Sequence, residues 1–199
     1  IVSKAAKGID IREHGSGNAG GTNVMRVLGW KHGTFVIILD ALKGVLAVIV
    51  VARLHYGSIP FENATPFDDF TLVQIIAGIA AVVGHIWTVF AGFRGGKGIA
   101  TALGMLLMIV TVDMLIAVGV FVLVVTISRY ISLGSILGAI TVPLALVGRE
   151  NTFNVDIPGY HTLLPFVIAV STLVLFTHKK NIIRLLNGNE SKFSFAKKK

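Results

Sequence analysis

Long, nearly uninterrupted apolar runs are the feature that most constrains what this chain can fold into. A helix needs roughly 20 mostly apolar residues to cross the hydrocarbon core of a bilayer. Only 14% of the 199 residues are charged, against ~25% in an average soluble domain, so too few polar side chains remain to cover a surface that faces water. The runs show no two-residue alternation of the kind found in membrane β-barrels. We therefore predict an all-α integral membrane protein, a polytopic helical bundle, with helices over residues 33–52, 70–91, 99–112, 114–128, 133–148 and 159–177.

The apolar run over residues 99–128 is predicted to form two helices rather than one. It is too long for a single span, and Asp113 near its middle would be costly in lipid, so we expect a tight hairpin there. Residues 1–199 are expected to form one membrane domain, with 188–199 as a loose, lysine-rich tail. The apolar pair Ile1–Val2 is expected to end a further, largely missing helix.

Lysine and arginine fall on alternate connecting segments. Fifteen of the 18 lie in residues 1–31, 92–98, 129–132 and 178–199, whereas the opposite segments hold only Arg53 and Arg149. By the positive-inside rule, the first group of segments and the C-terminus are cytoplasmic. The sorting accounts for the net charge of +8 without a nucleic-acid partner, and the expected partner is the lipid bilayer.

No metal or cofactor is expected from the residue types. The chain has no cysteine, which excludes disulfides and thiolate metal sites. No group of histidine, aspartate and glutamate has the spacing of metal ligands. The chemistry must therefore come from the polar loops.

A glycine-rich loop, residues 15–21, lies in the first predicted cytoplasmic segment, and we call it the first glycine loop. Four of its seven residues are glycine, which allows successive backbone N–H groups to face one point. Neutral donors surround it, and a charged fork follows at Arg26; the polar candidates are Ser16, Asn18, Gly20, Thr22 and Asn23. If a helix starts at Thr22–Asn23, Arg26 lies near its positive end, where anions bind. A flexible loop without a ligand is the alternative.

A second glycine loop, residues 92–98, precedes the next predicted helix. Gly95, Gly96 and Gly98 bracket Lys97, which predicts a second anion site made of backbone donors and one mobile cation. It is not a Walker P-loop, because no strand precedes it and glycine, not serine or threonine, follows the lysine. The alternative is that Arg94 and Lys97 only set the membrane topology.

Two further polar regions carry weaker signals. Ser132 and Ser135 follow Arg129 and are equally compatible with a plain polar turn. His178 and Asn181 share one face of a helix at i, i+3, although a solvated helix beside the membrane would look the same. We expect all four polar regions to converge on one pocket for negative charge.

Three titratable residues lie within the predicted membrane helices. Asp40 and Lys43 are spaced i, i+3, and charges in lipid are usually paired or functional; we favour a structural pair. His85, near the cytoplasmic end of its helix, is expected to be structural or to support the site.

In this order, these blocks resemble the acyl-phosphate:glycerol-3-phosphate acyltransferase family of bacterial membranes. The resemblance covers nearly the whole chain. It rests on residues 15–26 (GSGNAGGTNVMR), 40–44 (DALKG), 84–85 with 95–101 (GH and GGKGIAT), 130–135 (YISLGS) and 178–190.

The resemblance implies an enzyme that moves a fatty acyl group from acyl phosphate to the 1-hydroxyl of glycerol 3-phosphate. The product is lysophosphatidic acid, in the first step of phospholipid synthesis, and neither acyl-CoA nor acyl carrier protein is used. It implies seven membrane helices in a bacterial inner membrane, with the active site open to the cytoplasm. It also implies that Ser16, Arg26, His178 and Asn181 matter for activity, that the loop around Lys97 binds glycerol 3-phosphate, and that Glu190 maintains the structure.

We expect Ser16, Arg26, Lys97, His178 and Asn181 to be catalytic. Arg26 and Lys97 would clamp glycerol 3-phosphate. The residues expected to bind substrate are Ser16, Asn18, Gly20, Thr22, Asn23, Arg26, Gly95, Gly96, Lys97, Ser132, Ser135, His178 and Asn181. The hydroxyl proton would pass to the substrate's own phosphate, which we favour, or to His178.

A transporter of a phosphorylated metabolite is the alternative function. It would show internal repeats and broken helices with charges in the middle of the membrane. The sequence contains no such repeat, and its polar groups cluster at one predicted face.

Overall fold

The computed structural model describes residues 2–55 and 66–192. Within those ranges the chain is helical and contains no β-strand. The helices are α1 (Val2–Lys7), α2 (Gly21–Leu28), α3 (Trp30–Leu46), α4 (Ala52–His55), α5 (Asp69–Ile86), α6 (Ile99–Ile109), α7 (Thr111–Ser128), α8 (Ile131–Asn151), α9 (Tyr160–Thr177) and α10 (Lys179–Leu186).

Five helical segments in the described part of the chain are long and apolar enough to cross a membrane. They are Trp30–Leu54, Asp69–Ala91, Thr111–Ser128, Ile131–Asn151 and Tyr160–Thr177. The prediction of an all-α, multi-pass membrane protein is confirmed. The first of these spans joins α3 to α4 through a short π-helical segment, Ala47–Val51.

The chain folds as two compact units, the first containing α1 to α6 and the second α7 to α10 with residues 66–68. Small residues bring the helices of the first unit together. A Cβ on Gly33 would collide with the backbone of Met25 on α2, and one on Gly44 would collide with the Thr101 carbonyl on α6. Such close approach of small residues is typical of helix packing in membranes.

The apolar run over 99–128 is interrupted as predicted, but at Val110 and not at Asp113. Asp113 lies in the first turn of α7, where it is 1% exposed. Its carboxylate accepts a hydrogen bond of 2.8 Å from Arg149 at the end of α8. The pairing offsets part of the cost of the buried charge, so Asp113 does not have to lie in the turn. Arg149 is helical and not part of a loop, because α8 extends to Asn151.

In the second unit, α8 packs against both α7 and α9. Gly134 of α8 lies so close to Phe121 and Val125 of α7 that a Cβ would meet their atoms. On its other side, Ser171 of α9 donates a hydrogen bond of 2.7 Å to the Ala139 carbonyl. Helix α10 follows α9 directly after His178.

Candidate functional site

Asn23 holds the first glycine loop from inside. It is 2% exposed, in the first turn of α2. Its Oδ1 accepts the Ser16 N–H at 2.8 Å. Its Nδ2 donates to the carbonyls of Ile11, His14 and Asn18 at 3.1, 2.9 and 2.9 Å. Both polar atoms are engaged within the protein, so the geometry does not support the substrate contact predicted for Asn23.

The glycines of this loop are required by its path. Gly15 and Gly17 have φ of +61° and +71°, in the left-handed region that favours glycine. A Cβ on Gly15 would also collide with Asn23 Oδ1. The Asn18 Oδ1 accepts the Gly20 N–H at 2.8 Å, so Asn18 too stabilises the turn.

Three predicted site residues of this region remain available to a ligand. The side chains of Ser16, Thr22 and Arg26 are exposed and make no hydrogen bond or ion pair with any residue that the structure describes. Helix α2 begins at Gly21, and Arg26 lies in the last turn of its eight residues. Arg26 is therefore not near the positive helix end as predicted, and it acts as a cation in its own right.

The second glycine loop lies directly against the end of α5. The Gly95 N–H donates to the Ile86 carbonyl at 2.9 Å. A Cβ on Gly95 would collide with the His85 carbonyl, and one on Gly96 with the His85 ring. This close packing explains why positions 95 and 96 are occupied by glycine. Lys97 is exposed and has no ion pair in the described ranges.

His85 also contacts the buried Asp40 of α3. Its Nδ1 lies 3.4 Å from Asp40 Oδ1, and the same oxygen accepts Lys43 Nζ at 2.8 Å. The predicted Asp40–Lys43 pair is confirmed. His85 links this pair to the second glycine loop, in agreement with the supporting role expected for it.

The two glycine loops share a cavity of about 300 Å³ within the first unit. Its walls are formed by Asp10, Arg12, Glu13, Gly17, Arg94 and Gly95. The predicted convergence of these two loops is therefore observed, although Arg26 and Lys97 do not line this cavity. The predicted convergence of the His178 region with the two glycine loops stays a prediction.

Glu190 connects α10 to the start of α8 in the second unit. Its Oε1 accepts hydrogen bonds from Ser132 Oγ at 2.9 Å and Asn181 Nδ2 at 3.1 Å. Its Oε2 accepts one from Arg184 Nε at 2.7 Å. These bonds, the Arg184 bond foremost, lower the pKa of the Glu190 carboxyl below its ordinary value. Lys192 in turn lies over the Tyr130 ring.

These contacts bear on three predicted residues and on the tail. Ser132 and Asn181 are partly engaged in holding Glu190, and the Ser135 hydroxyl donates to the Ile131 carbonyl at 3.0 Å. Direct substrate contacts from the two serines thus find little support. The first residues of the predicted loose tail, 188–192, include the well-held Glu190, and residues 193–199 lie outside the described part.

His178 presents one ring nitrogen for chemistry. Its Nδ1 lies 2.8 Å from the Val174 carbonyl. A carbonyl only accepts, so Nδ1 carries the proton in this hydrogen bond, and the neutral ring has its lone pair on Nε2. The half-buried His178 can therefore accept a proton or a hydrogen bond at Nε2.

A larger cavity of about 420 Å³ in the second unit contains none of the predicted site residues. Its polar walls include Asp68, Glu150, Asp156 and His161. Carboxylates without any lysine or arginine in the walls disfavour phosphate. The cavity of the glycine loops has Arg12 and Arg94 beside its acidic residues, so the glycine loops remain the better candidate site. No group of residues in the described ranges is arranged to hold a metal ion.

The sequence analysis missed Asp10 and Arg12. Arg12 pairs with Asp10 and also reaches the Ala91 carbonyl at 2.7 Å. A charged pair two residues apart in a polar segment reads as an ordinary surface ion pair, and nothing in the sequence indicates its contact with a loop 79 residues away.

This chain is similar in sequence to proteins that it matches over nearly their full length. The glycerol-3-phosphate acyltransferase of Chlorobaculum tepidum is 45% identical over 213 residues, which cover 100% of this chain and 90% of that protein. The enzyme of the same description from Chlorobium phaeobacteroides is 43% identical over 216 residues, covering 99% of this chain and 90% of the relative.

Two solved structures resemble the fold. One is PlsY (YgiH), an integral membrane glycerol 3-phosphate acyltransferase, in its glycerol 3-phosphate form, with a TM-score of 0.63, 36% identity and coverage of 97% of this chain and 86% of that one. The other is its lysophosphatidic acid form, with a TM-score of 0.65, 33% identity and coverage of 98% and 88%.

The apolar spans and the exposed hydroxyls and cations around the glycine loops define a multi-pass membrane enzyme. The family model described as glycerol-3-phosphate acyltransferase matches residues 1–188. The chain belongs to the glycerol-3-phosphate acyltransferase family.

Proposed function

We propose that this chain transfers a fatty acyl group from acyl phosphate to the 1-hydroxyl of sn-glycerol 3-phosphate. The products are lysophosphatidic acid and inorganic phosphate, and the reaction is the first step of phospholipid synthesis. The observation that carries the proposal is the presence of Ser16, Arg26 and Lys97 as exposed groups without a partner among the described residues, beside two glycine loops. The glycerol 3-phosphate and lysophosphatidic acid forms of the solved relatives correspond to the acceptor and the product.

The chemistry requires no protein nucleophile. The glycerol hydroxyl oxygen attacks the acyl carbonyl carbon, the bond from that carbon to the phosphate oxygen breaks, and phosphate leaves. An acyl phosphate is a mixed anhydride with a good leaving group, so positioning and charge stabilisation are what the protein must supply. The hydroxyl proton passes to the departing phosphate or to His178 Nε2.

Each site residue then has a defined task. Arg26 and Lys97 clamp the phosphate of glycerol 3-phosphate, and Ser16 and Thr22 face the acyl phosphate. Of the three glycines expected to bind substrate, Gly20 and Gly95 use their N–H groups within the protein, so they shape the loops, and Gly96 is the remaining candidate for a backbone contact. Asn18 and Asn23 act by shaping the first loop.

In the second unit, His178 and Asn181 are the residues expected to act in the reaction. Ser132 acts through Glu190, which fixes the position of α10 beside His178, and Ser135 stays a weaker candidate for the polar floor of the site.

The enzyme acts in the bacterial inner membrane as one domain of residues 1–199. Both glycine loops and the C-terminus face the cytoplasm. It uses glycerol 3-phosphate and acyl phosphate directly, with no acyl-CoA, acyl carrier protein, metal or cofactor.

The test uses the full chain, purified and reconstituted in lipid vesicles, supplied with palmitoyl phosphate. Lysophosphatidic acid and phosphate should appear together, and only when glycerol 3-phosphate is present. Palmitoyl-CoA in place of the acyl phosphate should give no product. Turnover with the thioester refutes the donor assignment, and an absence of product with both donors refutes the function.

Arg26→Ala, with Arg53→Ala as a control at another exposed arginine of the same unit, tests the clamp. Loss of one charge-assisted phosphate contact should lower kcat/KM for glycerol 3-phosphate by roughly a hundredfold. Unchanged kcat/KM in a folded Arg26→Ala enzyme removes Arg26 from the site.

His178→Ala distinguishes the two proton acceptors. A loss of kcat below about tenfold indicates that the departing phosphate takes the proton, whereas a loss of roughly 10²–10⁴-fold indicates general base catalysis. His178→Asn is the matched variant, because it keeps a polar group without a base of suitable pKa.

A further inference from the structure

The guanidinium of Arg12 is engaged on two sides. Its Nε donates to both oxygens of Asp10, at 3.0 and 3.2 Å, and its Nη2 donates to Asp10 Oδ2 at 2.6 Å. Its Nη1 donates to the carbonyl of Ala91 at 2.7 Å. The Asp10 and Arg12 side chains are only 18% and 33% exposed. The planar fork of arginine is therefore held in one orientation between an acid and a distant backbone oxygen.

On one side, Asp10 and Arg12 belong to the base of the first glycine loop. The Asp10 Oδ1 also accepts the Arg12 N–H at 3.0 Å and caps the turn Ile11–Glu13. The Arg12 carbonyl lies so close to Gly17, at the tip of the loop, that a Cβ there would be 3.3 Å from it. Asn23 holds the same turn through the Ile11 carbonyl. Because these contacts connect Arg12 to the first glycine loop, a displacement of Arg12 should displace that loop as well.

On the other side, Ala91 lies where the chain enters the second glycine loop. The Ala91 carbonyl that receives Arg12 also accepts the Arg94 N–H at 3.3 Å. Gly92 and Phe93 follow it with φ of 60° each, a conformation that is uncommon for a bulky residue such as phenylalanine and persists only where surrounding contacts hold it. Arg12 supplies one of these contacts.

We propose that Arg12 is a positioning residue that sets the separation of the two glycine loops, and with it the separation of the two phosphate-bearing substrates. The proposal rests on the proposed acyl transfer, in which acyl phosphate faces Ser16 and Thr22 of the first segment and glycerol 3-phosphate also contacts Lys97 of the second glycine loop. Asp10 fixes the orientation of the guanidinium, and the Ala91 carbonyl receives it. The cavity that the loops share has Asp10, Arg12, Gly17, Arg94 and Gly95 in its walls, so Arg12 borders the gap whose width it controls.

A lysine does not replace Arg12 in this arrangement. The ammonium of lysine is a single point at the end of a flexible stem, and it lacks the two separated donor edges with which arginine reaches the acid and the carbonyl together. The charge would survive in Arg12→Lys, but the connection between the loops would not. Arg12→Lys keeps the charge and Arg12→Gln removes it, so comparison of the two variants separates the effect of the guanidinium geometry from the effect of the charge.

The decisive measurement is a split between kcat and KM in the reconstituted full chain. Ser16 and Thr22 belong to the same segment, so KM for acyl phosphate should stay within about threefold of the original enzyme in Arg12→Gln and Arg12→Lys. KM for glycerol 3-phosphate should rise, because Arg26 and Lys97 hold this substrate from both segments. Misplacement of two otherwise bound reactants should lower kcat by roughly tenfold to a hundredfold in both variants. Arg53→Lys, at an exposed position in α4, is the control and should leave both constants unchanged.

Three results would overturn the proposal. A large rise in KM for acyl phosphate would make Arg12 a ligand of that substrate. A wild-type kcat in Arg12→Lys would show that charge alone suffices. An unchanged kcat per folded molecule, with only a lower melting temperature, would leave Arg12 a stabilising residue without influence on the reaction.

A second measurement is independent of activity. The chain has no cysteine, so Glu13→Cys and Phe90→Cys can carry two nitroxide labels, one beside each glycine loop. Electron paramagnetic resonance should give a narrow distance distribution that broadens in Arg12→Gln. If the original enzyme shows no acyl transfer, the proposed function fails, but this measurement still tests whether Arg12 connects the two glycine loops. If the distance distribution does not broaden in Arg12→Gln, that connection is disproved even in an active enzyme.

Discussion

Residues with similar polar side chains in and beside the first glycine loop have different roles in the structure. Ser16 and Thr22 have exposed hydroxyls, whereas Asn23 is buried with its amide fully engaged. An amide can donate and accept at once, so one side chain can satisfy several backbone groups where the chain reverses direction. The difference lies in burial, which depends on the path of the loop.

Replacement of Asn23 by alanine should destabilise the enzyme before it affects any substrate contact. The Ser16 N–H and three carbonyl groups would lose their partner. The bond to the Ile11 carbonyl is buried, and an unsatisfied buried group costs about 1–3 kcal/mol. We expect Asn23→Ala to lower the free energy of unfolding by about 2 kcal/mol or more, seen as a lower melting temperature in detergent. Thr22→Ala, one position earlier and exposed, should leave the melting temperature unchanged; an equal decrease in both variants would contradict the role of Asn23.

The glycine at position 96 is explained by a neighbour and not by its own backbone conformation. Its φ lies outside the left-handed range, in contrast to Gly98 at +75°, and the obstacle to a side chain is the His85 ring. Gly96→Ala should therefore abolish most activity, and His85→Ala in the same chain should restore part of it. The double-mutant cycle is measured as kcat/KM.

Gly98→Ala is the matched control for this cycle. A side chain there is strained whatever the space around it, so His85→Ala should not rescue it. If the Gly96→Ala, His85→Ala double variant is no more active than Gly96→Ala alone, the steric explanation is wrong.

Residue types alone predicted the chemistry of the site but not this division of roles. Glycines, hydroxyls and cations in one segment indicate anion binding from sequence, because those groups supply donors and flexibility. Which donors face inward depends on contacts with residues outside the motif, such as Ile11 for Asn23 and His85 for Gly96. No spacing rule within the motif contains that information.

At the scale of helices and their connections, Glu190 is the one carboxylate that ties α10 to α8 in the described second unit. Its pKa is lowered in the folded protein, so the deprotonated form is the one that stabilises the fold. This contribution is present above the ordinary value of 4.5 and is lost as the pH falls through the lower folded pKa.

Removal of the Glu190 carboxylate should therefore abolish the pH dependence of hydrogen exchange in α10. In the original protein, hydrogen exchange of the α10 amides should accelerate as the pH falls below about 4.5, after correction for the intrinsic exchange rate. In Glu190→Gln exchange should be faster at neutral pH and show little further change on acidification. Persistent acid dependence in Glu190→Gln would show that another group holds the helix.

Helix positions were the most predictable part of the fold, because the apolar length needed to cross a bilayer is a physical requirement. The break within 99–128 was predicted for the same reason. Its location was not, because Asp113 is neutralised by Arg149 from another helix, and a partner 36 residues away is not visible in local patterns. The length of an apolar run likewise does not predict the π-helical segment Ala47–Val51.

At the scale of the whole molecule, the distribution of lysine and arginine predicts the side of the membrane on which each connecting segment lies. Fifteen of 18 fall in the segments predicted to be cytoplasmic, and translocation of such clusters is disfavoured during insertion. The proposed function needs this orientation, because both substrates carry phosphate and must reach the glycine loops without crossing the bilayer.

Single cysteines in this cysteine-free chain test the orientation directly. Phe153, between α8 and α9, is 75% exposed, and Asn187, after α10, is exposed as well. In bacterial spheroplasts, a membrane-impermeant maleimide should label Phe153→Cys at once, because its segment carries few basic residues. It should label Asn187→Cys only after the membrane is permeabilised, because the segment from His178 onward is rich in lysine. The unmodified chain, which has no thiol, is the control for background labelling. The opposite pattern would place the glycine loops outside the cell, away from the metabolites that the reaction requires, and the proposed acyl transfer would then fail together with the predicted topology.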